Sequence, residues 1–456
     1  MKVQSFNPAT EEVNQEFETL TNDQIKDIAI SSREQQKQWS AMQISERAAL
    51  LKNLSNILKQ KSKEYGRLIT LEMGKPIKQS VSEVEKCAFA ADVFAENAEK
   101  WLVDETLQIE NKAHVAHQPL GVILGIMPWN FPFWQAMRFA IPALAAGNTA
   151  ILRHSNVCPM SALAIEESFK LAGFPENTFK TIITEHDAIS KMINKRGMVD
   201  GVSLTGSVEA GKRVGMLAGK SIKKIVLELG GSDPFIVLDD ADLSAACKGA
   251  ADGRMTNSGQ SCICSKRFIV VKEVAEEFTR GFVEQMKSYK IGDPLNENTN
   301  VGPLANKQQL DQLERQVKES VGMGAKVMLG GEKRTVNGKG YFYEPTVLVD
   351  VKPSMPIAKE EVFGPAGPVI IVKNEAEAIK VANNSRFGLA GCVWTKDIER
   401  AERVARQLQS GMVGINSVIH SDPRVPFGGV KESGVGRELS RYGILEFTNT
   451  KSVMIG

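Results

Sequence analysis

The stretch VAHQPLGVILGI, residues 115–126, decides the fold, because it opens a regular alternation of strand-like and helix-like segments. The pattern then predicts helices at 136–146, 161–171 and 188–195, and strands at 149–152, 181–184 and 201–204. Strands that alternate with helices of this length indicate a parallel sheet built from βαβ units.

The same alternation returns after residue 228. Strand-like segments at 235–238 and 267–271 alternate with a helix beyond Leu243 and another at 274–289. Upstream, residues 45–110 carry apolar residues at three- and four-residue spacing, and Gly74-Lys75-Pro76 interrupts them. The sequence therefore predicts an α/β protein with two α/β domains, preceded by at least two helices.

Composition is that of an ordinary globular protein. The 456 residues exceed what one hydrophobic core usually supports, so more than one domain is expected. Hydrophobic residues make up 42% and charged residues 24%, and the formal net charge is +2. No basic block stands out, so we expect neither nucleic acid nor a membrane as a partner.

The first residues and the cysteines indicate a cytoplasmic location. Polar sequence follows Met1 with no apolar segment typical of a secretory signal. Six cysteines in a chain of this length are too sparse for a disulfide scaffold, so a reducing compartment is expected.

Two clusters contain candidate catalytic groups. Cys262 follows a glycine-containing loop and precedes a strand, where a constrained turn can present a thiolate to a cleft. Glu228, flanked by leucines and followed by two glycines, would have a raised pKa beside a cavity, as suits a general base. Taken singly, each has a plain alternative: an inert buried cysteine, and a helix-start or salt-bridge glutamate.

Two further clusters contain candidate binding groups. Asn130 lies in a loop fixed by two prolines, and its amide could donate to an oxyanion or merely complete a turn. The segment 205–211 follows a strand and opens a helix, so its amides and Ser207 could hold a pyrophosphate. It is not the G-x-G-x-x-G fingerprint and is weak evidence when taken alone.

Together, these motifs resemble those of the aldehyde dehydrogenases, in the order typical of that family. The resemblance runs from Asn7-Pro-Ala-Thr10 to the C-terminal strand and rests on six motifs: MPWNFP (127–132), LTGS (204–207), ELGG (228–231), GQSC (259–262), EEVFGP (360–365) and PFGGVKESG (426–434). The resemblance implies an aldehyde dehydrogenase-like fold of two Rossmann-type α/β domains with a small β extension for oligomerisation.

The resemblance also implies catalytic roles. Cys262 would attack an aldehyde, and Asn130 and the Cys262 amide would hold the resulting oxyanion. Glu228 would activate the water that hydrolyses a thioester. Glu438 resembles a structural or proton-relay residue.

A nicotinamide cofactor is implied as well. Gly206 and Ser207 would lie along the pyrophosphate, and Glu361 would bind the nicotinamide-side ribose, with Phe363 beside the ring. The cofactor groove would also be lined by Trp129 and Leu229.

The domains implied by the family fold divide the chain in three. Residues 1–100 and 120–228 would form the cofactor-binding domain, and residues 229–428 the catalytic domain. Residues 101–119 and 441–456 would supply oligomerisation strands that join subunits into a homodimer or homotetramer. The segment 451–455 is a plausible edge strand that could pair with another subunit.

Among family members the chain looks most like the shorter succinate-semialdehyde dehydrogenases. Arg138, two helical turns after Asn130, could clamp a distal carboxylate, or it could form a structural ion pair. Some relatives carry a second arginine where this chain has Thr256. Arg254, Ser421 or Arg424 could supply that contact, and other short aliphatic aldehydes remain open.

Cofactor preference depends on two positions. Arg153 stands where the family usually has lysine, and Asn156 stands where NAD-selective relatives often carry glutamate. A cation without a neighbouring carboxylate could accept a 2′-phosphate, so the cofactor is NAD or NADP, with a slight preference for NADP. Separately, Cys264 could form a reversible disulfide with Cys262 or simply pack in the core.

Three rival functions are weighed against this one. A coenzyme-A-acylating dehydrogenase of the same fold needs no water-activating base, so Glu228 disfavours it. A non-catalytic scaffold is disfavoured by the intact Cys262, Glu228 and Asn130. A cysteine hydrolase is disfavoured because none of the five histidines lies in a Cys-His motif. No spacing typical of a metal site is found, so none is predicted.

Overall fold

Helices form most of the first hundred residues. The computed structural model of the chain describes residues 2–109 and 112–456; positions 1, 110 and 111, which fall in the predicted segments 1–100 and 101–119, lie outside them. A hairpin of Lys2–Asn7 and Glu12–Glu18 comes first, followed by helices Asn22–Ala41, Ile44–Gln60, Ser62–Met73 and Ile77–Trp101. The predicted break at Gly74-Lys75-Pro76 is confirmed, because Gly74 ends one helix with a φ of 77°.

The first sheet is parallel except at one edge. From that edge its strands are Gly434–Val435, Lys224–Glu228, Gly201–Thr205, Val122–Met127, Thr149–His154 and Phe179–Thr181. The antiparallel member is Gly434–Val435, which pairs with Lys224–Glu228. The connecting helices are Pro132–Ala145, Pro159–Leu171, His186–Asn194 and Val208–Lys220. The predicted βαβ units are confirmed here.

The second sheet is built from strands in the C-terminal half of the chain. Its strands run in the order Lys326–Leu329, Thr346–Val349, Ala366–Val372, Ser265–Val271, Asp233–Val237, Ala390–Trp394 and Met412–Ile415. Only the pairing of Lys326–Leu329 with Thr346–Val349 is antiparallel among these described strands. Its longer helices are Leu243–Met255, Ala275–Lys287, Lys307–Gly322, Glu375–Asn383 and Ile398–Gln407. The second predicted α/β unit is also confirmed.

Shorter elements complete the description. Hairpin strands Lys333–Val336 and Lys339–Tyr343 pair with each other, as do Phe387–Gly388 and Val430–Lys431. Short helices are Thr256–Gly259, of the 3₁₀ type, Pro356–Lys359 and Ser440–Glu446.

A small antiparallel sheet is formed by Thr448–Ile455, Lys112–Pro119 and Glu105–Leu107. Thr448–Ile455 pairs along the whole of Lys112–Pro119 and lies at the sheet edge, as the sequence predicted. Its pairing with another subunit, and the domain boundaries, stay predictions. Among the residues described, no helix is long and apolar enough to cross a membrane.

The helix Pro132–Ala145 is buried along its whole length and supports one wall of the candidate site. Its first turn is anchored by Glu83, whose Oε1 accepts hydrogen bonds from the amides of Phe133 and Trp134 at 2.9 and 3.0 Å. The other oxygen of Glu83 pairs with the buried ammonium of Lys75, which lies over the ring of Phe131. A carboxylate at a helix N-terminus is stabilised by the helix dipole and by these amides.

This anchor gives a stability prediction. Glu83→Ala leaves a buried ammonium and two buried amides without their acceptor, so we expect the free energy of unfolding to fall by about 3–5 kcal/mol. Urea titration, monitored by circular dichroism, measures the change in the free energy of unfolding. The double variant Lys75→Met/Glu83→Leu leaves no buried charge and should lose less. A double variant that loses more than the single one would contradict this account.

Candidate active site

Cys262 follows a turn with unfavourable backbone geometry. Asn257, Ser258 and Gly259 have φ angles of 54°, 55° and 80° in succession. Two non-glycine residues in this region cost about 1–2 kcal/mol each, so other contacts must hold the turn. One is the buried guanidinium of Arg254, which donates to the Gly259 carbonyl at 2.6 Å. The turn is constrained in the way the sequence indicated.

Arg254 is therefore engaged with the backbone. It is fully buried, and its second acceptor is the Val362 carbonyl at 3.4 Å. The sequence-based alternative in which Arg254 binds a substrate carboxylate is wrong. Arg424 is exposed and paired with Asp422, whereas Thr256 and Ser421 do line the inner pocket defined below.

Asn130 and the cysteine turn are hydrogen-bonded to each other. The side-chain amide of Asn257 donates to the Asn130 carbonyl at 2.7 Å, and the Asn130 amide donates to the Gln260 carbonyl at 3.1 Å. Because a carboxamide has two N–H groups, the second one of Asn130 can serve an oxyanion beside Cys262.

Two cavities meet at Cys262. The first, here called the inner pocket, is lined by Lys86, Trp134, Arg138, Cys264, Ser421 and Phe427 among others. The second, here called the groove, is lined by Trp129, Asn130, Gly206, Ser207, Leu229, Glu361 and Phe363 among others. Cys262 lies on the wall of both, so a molecule in the inner pocket and another in the groove can contact the same thiol.

Burial strongly affects the ionisation of the two candidate catalytic groups. It raises the pKa of the Cys262 thiol to about 12, with Arg138 opposing the shift and the charge of Glu228 adding to it. Burial also raises the pKa of Glu228 to about 8; Arg138 opposes that shift and Glu438 adds to it. Neither carboxylate oxygen of Glu228 has a hydrogen-bond partner among the described residues. Glu228 is thus poised to accept a proton near neutral pH.

Arg138 has two carboxylates beside it. Its Nε lies 2.5 Å from Glu438, and its Nη2 lies 4.0 Å from Glu228 and 3.4 Å from the Thr205 hydroxyl. The guanidinium also stacks on Phe427, 4.3 Å from the ring centroid. It reaches the inner pocket, but most of its charge is balanced by protein groups. Its role as a substrate clamp stays a prediction.

The groove has the groups that a dinucleotide requires. Trp129, Leu229 and Phe363 supply apolar walls. Ser207 caps the helix Val208–Lys220 by accepting from the Ala210 amide at 3.2 Å, which brings a helix N-terminus to the groove. Glu361 supplies an acceptor suited to sugar hydroxyls.

The Glu361 carboxylate is held in place from behind. It accepts a hydrogen bond from the Gly231 amide at 2.9 Å and lies 3.5 Å from the Lys266 ammonium. A Cβ at residue 230 would lie 2.3 Å from Glu361 Oε2, so a side chain in place of Gly230 would displace this carboxylate from its contacts.

Arg153 and Asn156 lie near the end of the strand Thr149–His154, at the same sheet edge as Asn130. Arg153 donates to the Asn156 side chain at 3.3 Å and to the Thr184 carbonyl at 3.4 Å. The groove walls defined by the described residues do not include either of them. Their effect on cofactor preference stays a prediction.

Cys264 is buried, and its sulfur lies 3.8 and 3.6 Å from the carbonyls of Arg254 and Thr256. A disulfide with Cys262 stays a prediction. Lys86, which the sequence analysis missed, donates to Ser421 at 2.5 Å in the inner pocket. Nothing in the sequence distinguishes it from the surface lysines of the same helix; only the packing reveals it.

Comparisons with known proteins agree with this geometry. The profile of the Aldehyde dehydrogenase family matches residues 1–453. A probable NADP(+) succinate-semialdehyde dehydrogenase of Synechocystis sp. is 43% identical over 456 residues, covering 100% of both chains. The NAD(P)+ succinate semialdehyde dehydrogenase Sad of Escherichia coli is 43% identical over 450 residues, covering 98% of this chain and 97% of the relative.

A solved structure is also similar over the whole chain. The crystal structure of succinic semialdehyde dehydrogenase from Streptococcus pyogenes in complex with NADP+ aligns with a TM-score of 0.97 at 37% identity. The alignment covers 99% of each chain. The predicted aldehyde dehydrogenase-like α/β fold is confirmed.

The position of Cys262 gives a chemical prediction. The other five cysteines are buried, so iodoacetamide should label Cys262 first. Because the thiol pKa lies near 12, the labelling rate should rise about tenfold per pH unit between pH 7 and 9. Peptide mass spectrometry at timed quenches measures both, with Cys392→Ser as a control that should leave the rate unchanged. A pH-independent rate, or earlier labelling elsewhere, would overturn the assignment.

Proposed function

The chain belongs to the aldehyde dehydrogenase family, and on that premise we propose that it oxidises succinate semialdehyde to succinate with NADP or NAD. It is an NAD(P)-dependent aldehyde dehydrogenase. The observation that carries the proposal is the position of Cys262 on the walls of both the inner pocket and the groove. The inner pocket would hold the aldehyde and the groove would hold the nicotinamide, so that Cys262 could contact both.

The first step is attack by Cys262. The sulfur bonds to the aldehyde carbon, the carbonyl π bond breaks, and the thiol proton is lost. Because burial holds the thiol protonated, this proton must be lost to solvent as the bond forms, which leaves Glu228 free for the later hydrolysis. The Asn130 side chain and the Cys262 amide donate to the oxyanion.

The residues that line the groove would bind the cofactor. Trp129, Leu229 and Phe363 would enclose the planar rings, Gly206 and Ser207 would lie along the pyrophosphate, and Glu361 would accept a hydrogen bond from a ribose hydroxyl. When bound, the nicotinamide supplies the acceptor for the hydride that leaves the aldehyde carbon. Loss of that hydride turns the thiohemiacetal on Cys262 into a thioester.

Hydrolysis completes the cycle. Glu228 takes a proton from water, and the hydroxyl oxygen bonds to the thioester carbon. The carbon–sulfur bond then breaks to release succinate, and the departing sulfur takes the proton back from Glu228, which restores both groups. A pKa near 8 suits a carboxylate to this work close to neutral pH. Arg138, beside both Glu228 and Glu438, limits the repulsion between the two carboxylates. A buried general base favours hydrolysis over transfer to coenzyme A.

Succinate semialdehyde is proposed as the substrate because the relatives named above act on it and the inner pocket fits it. Arg138, Lys86 and Ser421 reach a pocket that also has apolar side chains on its wall, Trp134 and Phe427 among them. Arg153, with Asn156 beside it, supports acceptance of a 2′-phosphate and thus NADP. From the sparse cysteines and the edge strand Thr448–Ile455 we also propose a cytoplasmic homodimer or homotetramer.

The test compares succinate semialdehyde with butyraldehyde, which has four carbons and no carboxylate. We expect kcat/KM for the semialdehyde to be higher by tenfold or more, since a charge-assisted hydrogen bond contributes about 1.5–3 kcal/mol. Reduced cofactor is measured by its absorbance. Equal kcat/KM for the two aldehydes would remove the proposed substrate while leaving the dehydrogenase assignment intact.

A further inference from the structure

Lys86 occupies an unusual position for a lysine. It lies in the helix Ile77–Trp101 and lines the inner pocket with Cys262 and Ser421. Its ammonium donates to the Ser421 hydroxyl at 2.5 Å and lies 4.3 Å from the centroid of the Trp134 ring. Lys86 therefore extends from that helix to the inner pocket.

The charge of Lys86 is not balanced by a close carboxylate. Among the residues that the structure describes, it forms no ion pair with aspartate or glutamate. Arg138, the other cation on the same wall, is engaged by Glu438 and Glu228. An anion entering the inner pocket would thus find Lys86 the more available positive charge, because Arg138 already lies 2.5 Å from the carboxyl group of Glu438.

The inner pocket has two kinds of chemically active group on its walls. Cys262 provides the nucleophile, and Lys86 with Ser421 provides a cation and a hydroxyl. Trp134 and Phe427 contribute apolar surface. A short aliphatic chain with an aldehyde at one end and an anion at the other satisfies both.

We propose that Lys86, assisted by Ser421, binds the distal carboxylate of the aldehyde substrate and thereby determines specificity for semialdehydes. This inference rests on the proposed function and adds to it a residue that sequence reasoning did not identify. The ammonium has three N–H groups, so Lys86 can keep its bond to Ser421 while it donates to the carboxylate, and that new bond joins two ionised groups.

The surroundings of Lys86 predict a pH dependence. Burial, followed by repulsion from Arg138, lowers the pKa of Lys86 to about 8, while Cys87, Glu83 and Asp422 oppose the shift more weakly. His420 and Asp252 also lie near it, on the wall of an adjoining depression. A lowered pKa means that the cation is present below about pH 8 and is lost above it, so carboxylate recognition should weaken there.

The experiment measures the ratio of kcat/KM for succinate semialdehyde to kcat/KM for butyraldehyde between pH 6 and 10. Ionisation of Glu228 and Cys262 affects both aldehydes and cancels in the ratio. In the wild type the ratio should be constant below about pH 8 and fall about tenfold per pH unit above it. Lys86→Met should lower the ratio about 10- to 100-fold and flatten the profile.

Two matched variants complete the series. Lys86→Arg keeps the cation, so its ratio should stay well above that of Lys86→Met and should not fall above pH 8. Lys100→Met removes an exposed lysine from the last turn of the same helix and should behave as the wild type. A Lys86→Met ratio equal to that of the wild type would overturn the proposal.

The outcomes separate this proposal from the proposed function. A wild-type ratio near one at every pH would overturn the succinate-semialdehyde assignment, and the Lys86 proposal with it. A high wild-type ratio that survives in Lys86→Met would overturn only the role of Lys86.

A second measurement does not depend on turnover. Succinate should slow the labelling of Cys262 by iodoacetamide in the wild type and in Lys86→Arg. In Lys86→Met, the succinate concentration that halves the labelling rate should be about tenfold higher or more. Equal protection in wild type and Lys86→Met would contradict the proposal.

Discussion

The hydrogen bonds between the Asn130 loop and the cysteine turn are the constraint on which the site depends. Asn130 follows a strand of the first sheet, whereas Asn257 and Gln260 precede a strand of the second. Each segment accepts a hydrogen bond from an amide of the other, so neither can shift alone. These two reciprocal hydrogen bonds explain how the strained turn persists and why Cys262 and Asn130 keep a fixed position relative to each other.

Several charged side chains of the site are buried. Glu228, Glu438 and Arg138 are nearly inaccessible to solvent, and removing charged groups from water is costly unless they are paired. Arg138 supplies the pairing, but burial outweighs its effect and raises the pKa of Glu228. The same low-polarity environment that makes the carboxylate a base also keeps the Cys262 thiol protonated. Lys86 has the opposite shift, because burial disfavours its cation.

Much of this could be predicted from the sequence, because periodicity and motif spacing are local. The βαβ alternation after residue 115 gave the first sheet, and Gly74-Lys75-Pro76 gave a helix boundary. The structure brings Cys262 and Asn130 together as their motifs implied. The pairing of Arg138 with Glu438, 300 positions away along the chain, could not be predicted, because ion pairs of this kind depend on tertiary packing. For the same reason Arg254 was misread and Lys86 was missed: the direction of a side chain on a helix depends on what packs against it.

Trapping of the acyl-enzyme tests the mechanism most directly. Glu228→Gln, mixed with succinate semialdehyde and NADP+, should release about one reduced cofactor per chain in a burst and then turn over slowly. Peptide mass spectrometry after an acid quench should find a succinyl group on Cys262. Accumulation of that adduct is the predicted result, because attack and hydride loss proceed while hydrolysis lacks its base. Steady turnover at the wild-type rate, with no adduct on Cys262, would contradict the account.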